Sequence, residues 1–169
     1  MLFRSAALAG GGGPIVLAGG RLTVDRHLLL DSGTGPIVSS AGASAMDLRA
    51  GGSVRLMGGR LDLRQLTASA GSEESPGLIR FTATGEGSPG APALRLRQAQ
   101  LTGQTIQLRA EGTMTLSDVD LRASKGAAGG GDLFLETGSG GATQLRDASL
   151  QGRSEEHTSE LQSHSDLVC

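Results

Sequence analysis

The stretch "MTLSDVDLRASKGAAGGGDLFLETG" (residues 114–138) decides the fold. Apolar residues alternate with other residues at its start and again at "DLFLET", and a run of Gly and Ala separates the two parts. Alternation with a period of two is typical of a β-strand, and no stripe with helical spacing is present. Gly, Ser and Asp interrupt each short apolar run, as they do in turns. The stretch therefore predicts short strands joined by turns.

Two motifs of this kind alternate along residues 13–152. The second has Leu or Val followed five residues later by Leu, and its copies cover residues 22–29, 54–61, 94–101, 114–121 and 143–150. The first is an apolar triplet with a free middle position, and successive copies begin 31, 33, 27 and 27 residues apart. Its apolar pairs are Ile15/Leu17, Met46/Leu48, Ile79/Phe81, Ile106/Leu108 and Leu133/Leu135.

One repeat cannot bury enough apolar surface to offset the conformational entropy lost on ordering it. Stacked repeats share a continuous core, which is the principle of solenoid proteins. We therefore predict an all-β parallel β-helix with about five turns of roughly 27–33 residues. An antiparallel β-sandwich is the alternative, because turn signals every 8–12 residues suit it as well. The repeats contain no Asn-Gly or Asp-Gly hairpin dipeptide, which disfavours that alternative.

The β-helix prediction assigns residues to inward files, in which equivalent side chains of successive turns lie above one another. The inserts 31–44, 67–77 and 85–93 are expected on the outside. Small residues are expected to fill the bend at Gly59, Ala99, Val119 and Ala148, with His27 as the exception. The two predicted leucine files are Leu29, Leu61, Leu101, Leu121, Leu150 and Val24, Leu56, Leu96, Leu116, Leu145.

The last 17 residues, "RSEEHTSELQSHSDLVC" (153–169), differ from everything before them. Their Glu, His and Cys residues could suggest a metal or nucleophile cluster, and "SEEHTSEL" could open a polar helix with a capping box. However, the segment matches codon by codon the translation of a common short-read sequencing adapter. We interpret it as an artefactual tail, either a short helix or disordered, and exclude it from functional argument. The residues so excluded are Glu155, Glu156, His157, Glu160, His164 and Cys169.

The domain organisation predicted is a Gly-rich edge over 1–12, a repeat segment over 13–152 and the tail. If Met1 and the tail junction are accidents of sequence assembly, both ends of the solenoid are cut. Exposed terminal turns would then promote end-to-end self-association.

Composition restricts the possible functions further. The chain has 169 residues, enough for one domain, a net charge of −2 and neither Trp nor Tyr. Without a strong positive charge we expect no nucleic-acid binding, and without a long apolar run no membrane insertion. Residues 1–152 contain no Cys and a single His, His27, so we expect no disulfide, metal, cofactor or catalytic site.

Several charged residues are candidate sites. Arg55 and Arg95 are expected at equivalent outward positions, with Arg97 beside them, and form either a basic ladder for acidic glycans or a solvated face. Asp118, Asp120, Asp132 and Asp147 could bind calcium or cleave polysaccharide, and Asp118 and Asp147 align in the repeat, but turn capping explains them as well. His27 was interpreted as structural, and Glu73-Glu74 as the tip of an exposed loop.

The repeats, above all "GGDLFLETG" (130–138) and "ATQLRDASLQG" (142–152), resemble those of filamentous haemagglutinin-type adhesins of two-partner secretion. The resemblance implies a right-handed β-helix in a secreted or surface-attached bacterial protein. It implies a non-enzymatic stalk that displays binding loops to host surface glycans or proteins. A polysaccharide-processing enzyme or a phage tail component on the same scaffold is the alternative function.

Overall fold

The computed structural model describes residues 3–72, 76–87, 91–124 and 131–152, and every regular element in these ranges is a strand. The strands are β1 (Phe3–Ala9), β2 (Ile15–Leu17), β3 (Gly20–Asp31), β4 (Pro36–Ser39), β5 (Met46–Ala50), β6 (Ser53–Gly58), β7 (Arg60–Ala70), β8 (Leu78–Ala83), β9 (Leu94–Gly103), β10 (Thr105–Ala110), β11 (Met114–Ala123), β12 (Asp132–Thr137) and β13 (Thr143–Gln151).

The strands form one 13-stranded sheet that winds as a solenoid through three stacks. Stack A contains β1, the second half of β3, β6, β8, β10 and β12. Stack B contains β2, β4 and the first halves of β7, β9, β11 and β13. Stack C contains the first half of β3, β5 and the second halves of β7, β9, β11 and β13. All these pairings are parallel, so the antiparallel sandwich is not the fold of the described residues.

One passage through stacks A, B and C is a coil, and the described residues make six of them. The sequence predicted about five. Successive equivalent positions in stack A are 22, 26, 25, 27 and 27 residues apart, shorter than the predicted spacing at the start of the chain; they are Ala6, Leu28, Val54, Ile79, Ile106 and Leu133.

The core consists of inward side chains stacked in register from coil to coil. In stack A, Leu56, Phe81 and Leu108 lie in one file, and each is fully buried. Side chains alternate in and out along each strand, so β8 reads buried at every second position. Files of this kind bury apolar surface mainly with Leu, and Phe81 is the one aromatic residue of this file.

The predicted files are correct in the later coils. Leu101 pairs with Leu121, and Leu121 pairs with Leu150. The file of Leu96, Leu116 and Leu145 is also confirmed. The strong alternation of β9, β11 and β13 made this part of the register readable from the sequence.

The same files are wrong in the earlier coils. Leu61 pairs with Leu94 instead of joining the Leu101 file, where Ala68 takes the predicted place. Leu29 points outward and pairs with Arg55. Val24 lies in stack C opposite Ala50, and Leu56 lies in stack A; neither joins the Leu96 file.

The error arose because "VRLMGGRL" (54–61) crosses a corner between two stacks. Its first part, Val54 to Leu56, belongs to stack A, and Leu61 begins the next strand in stack B. The predicted insert 31–44 likewise contains β4, a strand of stack B. Apolar residues before and after the corner therefore resembled a single copy of the second motif, although they belong to two different stacks.

In each of the last four coils, one residue with a left-handed backbone makes the bend from stack B to stack C. Gln65, Gln98, Asp118 and Asp147 have φ of 49°, 53°, 53° and 50°. Inside the bend, Leu66, Ala99, Val119 and Ala148 stack as the sequence predicted for the last three.

The prediction that Gly59 and His27 lie at this bend is wrong. Gly59 belongs to the corner from stack A to stack B, where its N–H donates to the Gly35 carbonyl at 2.8 Å. His27 lies in stack A, at the start of the second half of β3.

Glycines stack at the corner from stack A to stack B. The Gly85 N–H donates to the Gly59 carbonyl at 2.8 Å, which continues the column begun by Gly35 and Gly59. A Cβ on Gly112 would clash with the Glu86 carbonyl oxygen, and one on Gly141 would lie 2.6 Å from that of Gly112. Glycine is therefore required here by the close approach of successive backbones.

Candidate functional site

A groove runs along the bend between stacks B and C. Its volume is about 710 Å³, and it spans several coils. Its polar lining includes Gln65, Gln98, Gln100, Asp118 and Asp120, with Ser44, Ala45, Thr67, Ala99 and Val119 completing it.

The left-handed residue of each coil places these side chains in the groove. Gln98 and Asp118 occupy equivalent bend positions in consecutive coils, and both are exposed. Gln100 and Asp120 pair directly in stack C, two residues further on. Because the coils repeat at the strand spacing of about 4.8 Å, the groove presents polar groups at a regular interval along the solenoid.

The groove offers hydrogen-bonding groups above a small apolar floor. Amides of Gln65, Gln98 and Gln100 both donate and accept, while the carboxylates of Asp118 and Asp120 accept. Asp120 is engaged by Arg122, whose Nη2 lies 2.6 Å from its Oδ2. The lining can therefore both donate and accept hydrogen bonds along the bend.

The four predicted aspartates do not form one cluster. Asp118 and Asp120 line the groove, and Asp147 occupies the equivalent bend position in the next coil, outside the lining. Asp147 forms its ion pair with Arg146, with 3.6 Å between Nε and Oδ2. Asp132 lies in stack A, opposite Thr105. Equivalence of Asp118 and Asp147 is confirmed, but the four carboxylates are spread over different faces.

The predicted basic ladder is wrong in its register. Arg55 lies in stack A and pairs with Arg80, whereas Arg95 lies in stack B and pairs with Asp62. Arg80 donates from Nε to the Gln107 side-chain oxygen at 2.7 Å. Arg55 and Arg95 are therefore on different faces of the solenoid.

Arg95 and Arg97 belong to a cluster around Asp62 in stack B. Asp62 accepts hydrogen bonds from Arg60 at 2.8 Å and Arg97 at 2.9 Å, and Arg95 approaches it to 3.7 Å. The Asp62 side chain is only 15% exposed. Its burial acts to raise its pKa, but hydrogen bonds from Arg97 and Arg60 and the charges of Arg97 and Arg95 outweigh burial, so the pKa lies below its usual value.

A smaller network of the same type lies in stack C. Asp47 accepts from Arg21 at 2.7 Å and from Arg49 at 3.0 Å. Partial burial acts to raise the pKa of Asp47, and the hydrogen bonds from Arg49 and Arg21 lower it further than burial raises it. Both networks join neighbouring coils, which gives these charges a structural role.

His27 contacts Ser53 of the next coil, with 3.0 Å between Nδ1 and Oγ. This contact ties the two coils together and agrees with the structural interpretation of His27. Glu73, Glu74 and the tail 153–169 lie outside the described residues.

Within the described ranges, no three His, Cys, Asp or Glu side chains come close enough to hold a metal ion. The same ranges contain no helix long and apolar enough to span a membrane.

Sequence reasoning missed most of the groove. Gln65, Gln98 and Thr67 were not singled out, and neither was Asp62. A signal existed, since each of the last four coils has Gln or Asp two residues after the last inward Leu of stack B: Gln65, Gln98, Asp118 and Asp147. Polar residues that recur at one place in a repeat indicate a special backbone position as readily as a site.

No family model, no curated protein and no solved structure matches the chain.

Proposed function

We propose that this chain is a structural repeat segment of a secreted bacterial surface adhesin, folded as a right-handed parallel β-helix. Its role is that of a rigid stalk that displays loops. The observation that carries the proposal is the unbroken file of buried side chains Leu56, Phe81 and Leu108, which continues to Leu135 through consecutive coils. The resemblance of "GGDLFLETG" to adhesin repeats supports it.

The packing supports stiffness along the solenoid axis. Bending would open one side of every file and stretch the parallel ladder of the stack above it. The Asp62 and Asp47 networks add cross-coil hydrogen bonds on stacks B and C. A rod of this kind holds whatever it carries at a fixed distance from its attachment point.

The connections between stacks supply the displayed surface. Among the described residues, 40–45, 71–72, 76–77, 84–87 and 91–93 connect strands, and connections of this kind tolerate insertions. Exposed loops on a rigid scaffold are suited to contact glycans or proteins on a host cell. The bacterial cell surface or the medium is the corresponding location.

Surface display tests this function. The full chain is fused to a bacterial surface anchor, and adhesion of the bacteria to epithelial cells is measured. We expect adhesion above that of the anchor alone, lost when residues 40–45 and 84–93 are replaced by Gly-Ser segments of equal length. Equal adhesion by the anchor alone would overturn the proposal, and circular dichroism of the purified variants checks that the strands persist.

A second function, polysaccharide processing or a phage tail role, is favoured by one feature. Asp118 and Asp120 both line the groove, and glycoside cleavage uses a pair of carboxylates. Against it, Arg122 engages Asp120, and Asp147 lies outside the lining. Release of reducing ends from a panel of bacterial and plant polysaccharides, abolished by Asp118→Asn, would establish this second function instead.

A further inference from the structure

Each end of the described solenoid has exposed inward leucines, which belong to different files at the two ends. Leu145 and Leu150 in the last coil are each 39% exposed, while Leu116 and Leu121, which precede them in the same files, are 0% exposed. At the other end, Leu8 is 54% exposed, and its partner Leu30 is 4% exposed. Each end face therefore presents apolar side chains that the fold buries everywhere between them.

The strand edges at the two ends are likewise unpaired within the described ranges. β12 pairs only with β10, and β13 only with β11. At the first coil, β1 pairs only with β3 and β2 only with β4. Parallel edges of this type are templates for pairing with another strand.

We propose that the last coil of one copy docks onto the first coil of a second copy, head to tail. The occupant of each end face is thus this chain itself, and the interface repeats the contact between neighbouring coils. Since all coils run in the same direction, this arrangement preserves the parallel sense of every ladder. It uses two different faces, and because each copy continues the axis of the previous one, the assembly does not close into a ring and yields linear oligomers.

The register of the files makes the two faces complementary. Following the pairings through the molecule, the Leu150 file contains Leu22. In stack B, Thr143 is aligned with Ile15, so Leu145, two residues further on, is aligned with Leu17. The Leu135 file contains Leu8. Docking in register would bring Leu150, Leu145 and Leu135 onto Leu22, Leu17 and Leu8 of the second copy.

The outward positions agree with the same docking. In register, Phe134 would oppose Ala7, and Gln144 would oppose Val16 of the second copy. Ser149 would oppose Arg21. None of these pairs places like charges opposite each other, which would disfavour association.

Sedimentation of the full chain over a hundredfold range of concentration tests the proposal. We expect the weight-average mass to rise with concentration through dimer and beyond. Two variants each disrupt one end face: Leu8→Lys disrupts the first-coil face, and the double substitution Leu145→Lys, Leu150→Lys disrupts the last-coil face. The mass of each variant should be independent of concentration. Gln100→Lys is the matched control, because Gln100 is exposed and lies in a middle coil, away from both end faces; it should associate within about twofold of the unchanged chain. Circular dichroism identifies any variant that fails to fold.

Mixing the two variants distinguishes the geometry. The Leu8→Lys chain keeps the last-coil face, and the Leu145→Lys, Leu150→Lys chain keeps the first-coil face. Head-to-tail docking predicts that each is monomeric alone and that the mixture forms a one-to-one dimer that grows no further. A dimer of either variant alone, or an unchanged chain that stays monomeric throughout, would overturn the proposal. Loss of cell adhesion in the surface-display experiment would leave this result unaffected, because sedimentation does not depend on any host ligand.

Discussion

At the scale of the residue, two kinds of position affect the stability of more than one coil. Asp62 gathers three guanidinium groups from two coils around one carboxylate. Gln98 and its equivalents accept an unfavourable backbone conformation so that the chain can turn from stack B to stack C. The Asp62 cluster is shared between two coils, and the bend residue recurs in successive coils. A substitution at either kind of position therefore affects the packing of neighbouring coils.

Replacing Asp62 by Asn should lower the free energy of unfolding by about 1–3 kcal/mol at pH 7, because charge-assisted hydrogen bonds are lost. The folded-state pKa of Asp62 is depressed, so its stabilising effect is complete above the unfolded pKa of about 3.9 and is lost as the pH falls through the folded value. Urea unfolding at pH 7 and at pH 3 should therefore show a difference from the unchanged chain that shrinks in acid.

Asp120→Asn is the control for that measurement. Asp120 has its ion pair with Arg122, whose side chain is 58% exposed, so the loss at pH 7 should be at most about 1 kcal/mol. The role given to the Asp62 cluster would be contradicted if both substitutions lowered the free energy of unfolding equally. It would also be contradicted if the effect of Asp62→Asn did not change with pH.

Gln98→Val should destabilise the protein by about 1–3 kcal/mol, because a β-branched residue is strained at φ of 53°. Gln100→Val is the matched control: it changes the same residue type in the same strand, and both side chains are exposed. There Val suits the strand, and the change should be within about 0.5 kcal/mol. Thermal or urea unfolding of the pair measures this, and equal stabilities would exclude strain at the bend.

At the scale of the element, the corners decide where each strand begins. The glycine column from Gly35 to Gly141 brings successive backbones closer than any side chain allows. Strands on either side of it, such as β6 and β7, are separated by the single residue Gly59. The high glycine content of the chain is in part a property of this corner.

Gly112→Ala should destabilise the protein by about 1–3 kcal/mol or more, because the added Cβ meets the Glu86 carbonyl oxygen. Gly13→Ala is the control, since nothing lies within 4 Å of a Cβ there. It should be neutral or stabilise by up to about 1 kcal/mol through the unfolded state. Equal effects of the two substitutions in urea unfolding would show that the corner is more open than described.

At the scale of the whole molecule, stability is a sum over coils and the contacts between them. The middle coils have neighbours on both sides, and their inward residues, such as Leu96 and Leu108, are fully buried. The end coils are half-covered, with Leu8 and Leu145 exposed.

Hydrogen exchange should consequently be slowest in the middle. At low protein concentration we expect amides of β7, β9 and β10 to exchange at least tenfold more slowly than those of β1 and β13, because the end coils can open locally. Mass spectrometry of peptides from each strand measures the gradient. Uniform protection along the chain would show that the solenoid opens only as one unit.

The sequence by itself determined the strand character, the stacking of repeats and the parallel sense, because period-two alternation and repetition in one direction are local and can be read residue by residue. It also determined the files of Leu101, Leu121 and Leu150. The polar position at the bend was visible in the repeat, although its left-handed backbone was not recognised.

Only the tertiary structure decided the number of coils, the stack to which each early strand belongs and the residues that share a face. Leu61 and Ala68 lie in the same strand and are both fully buried, so their alternation alone cannot show which of them stacks on Leu101. That choice depends on where the glycine corner and the left-handed bend fall relative to the neighbouring coil. These are contacts between residues about 25 positions apart, and they also separate Arg55 from Arg95 and bring Gln98 and Asp118 into one groove.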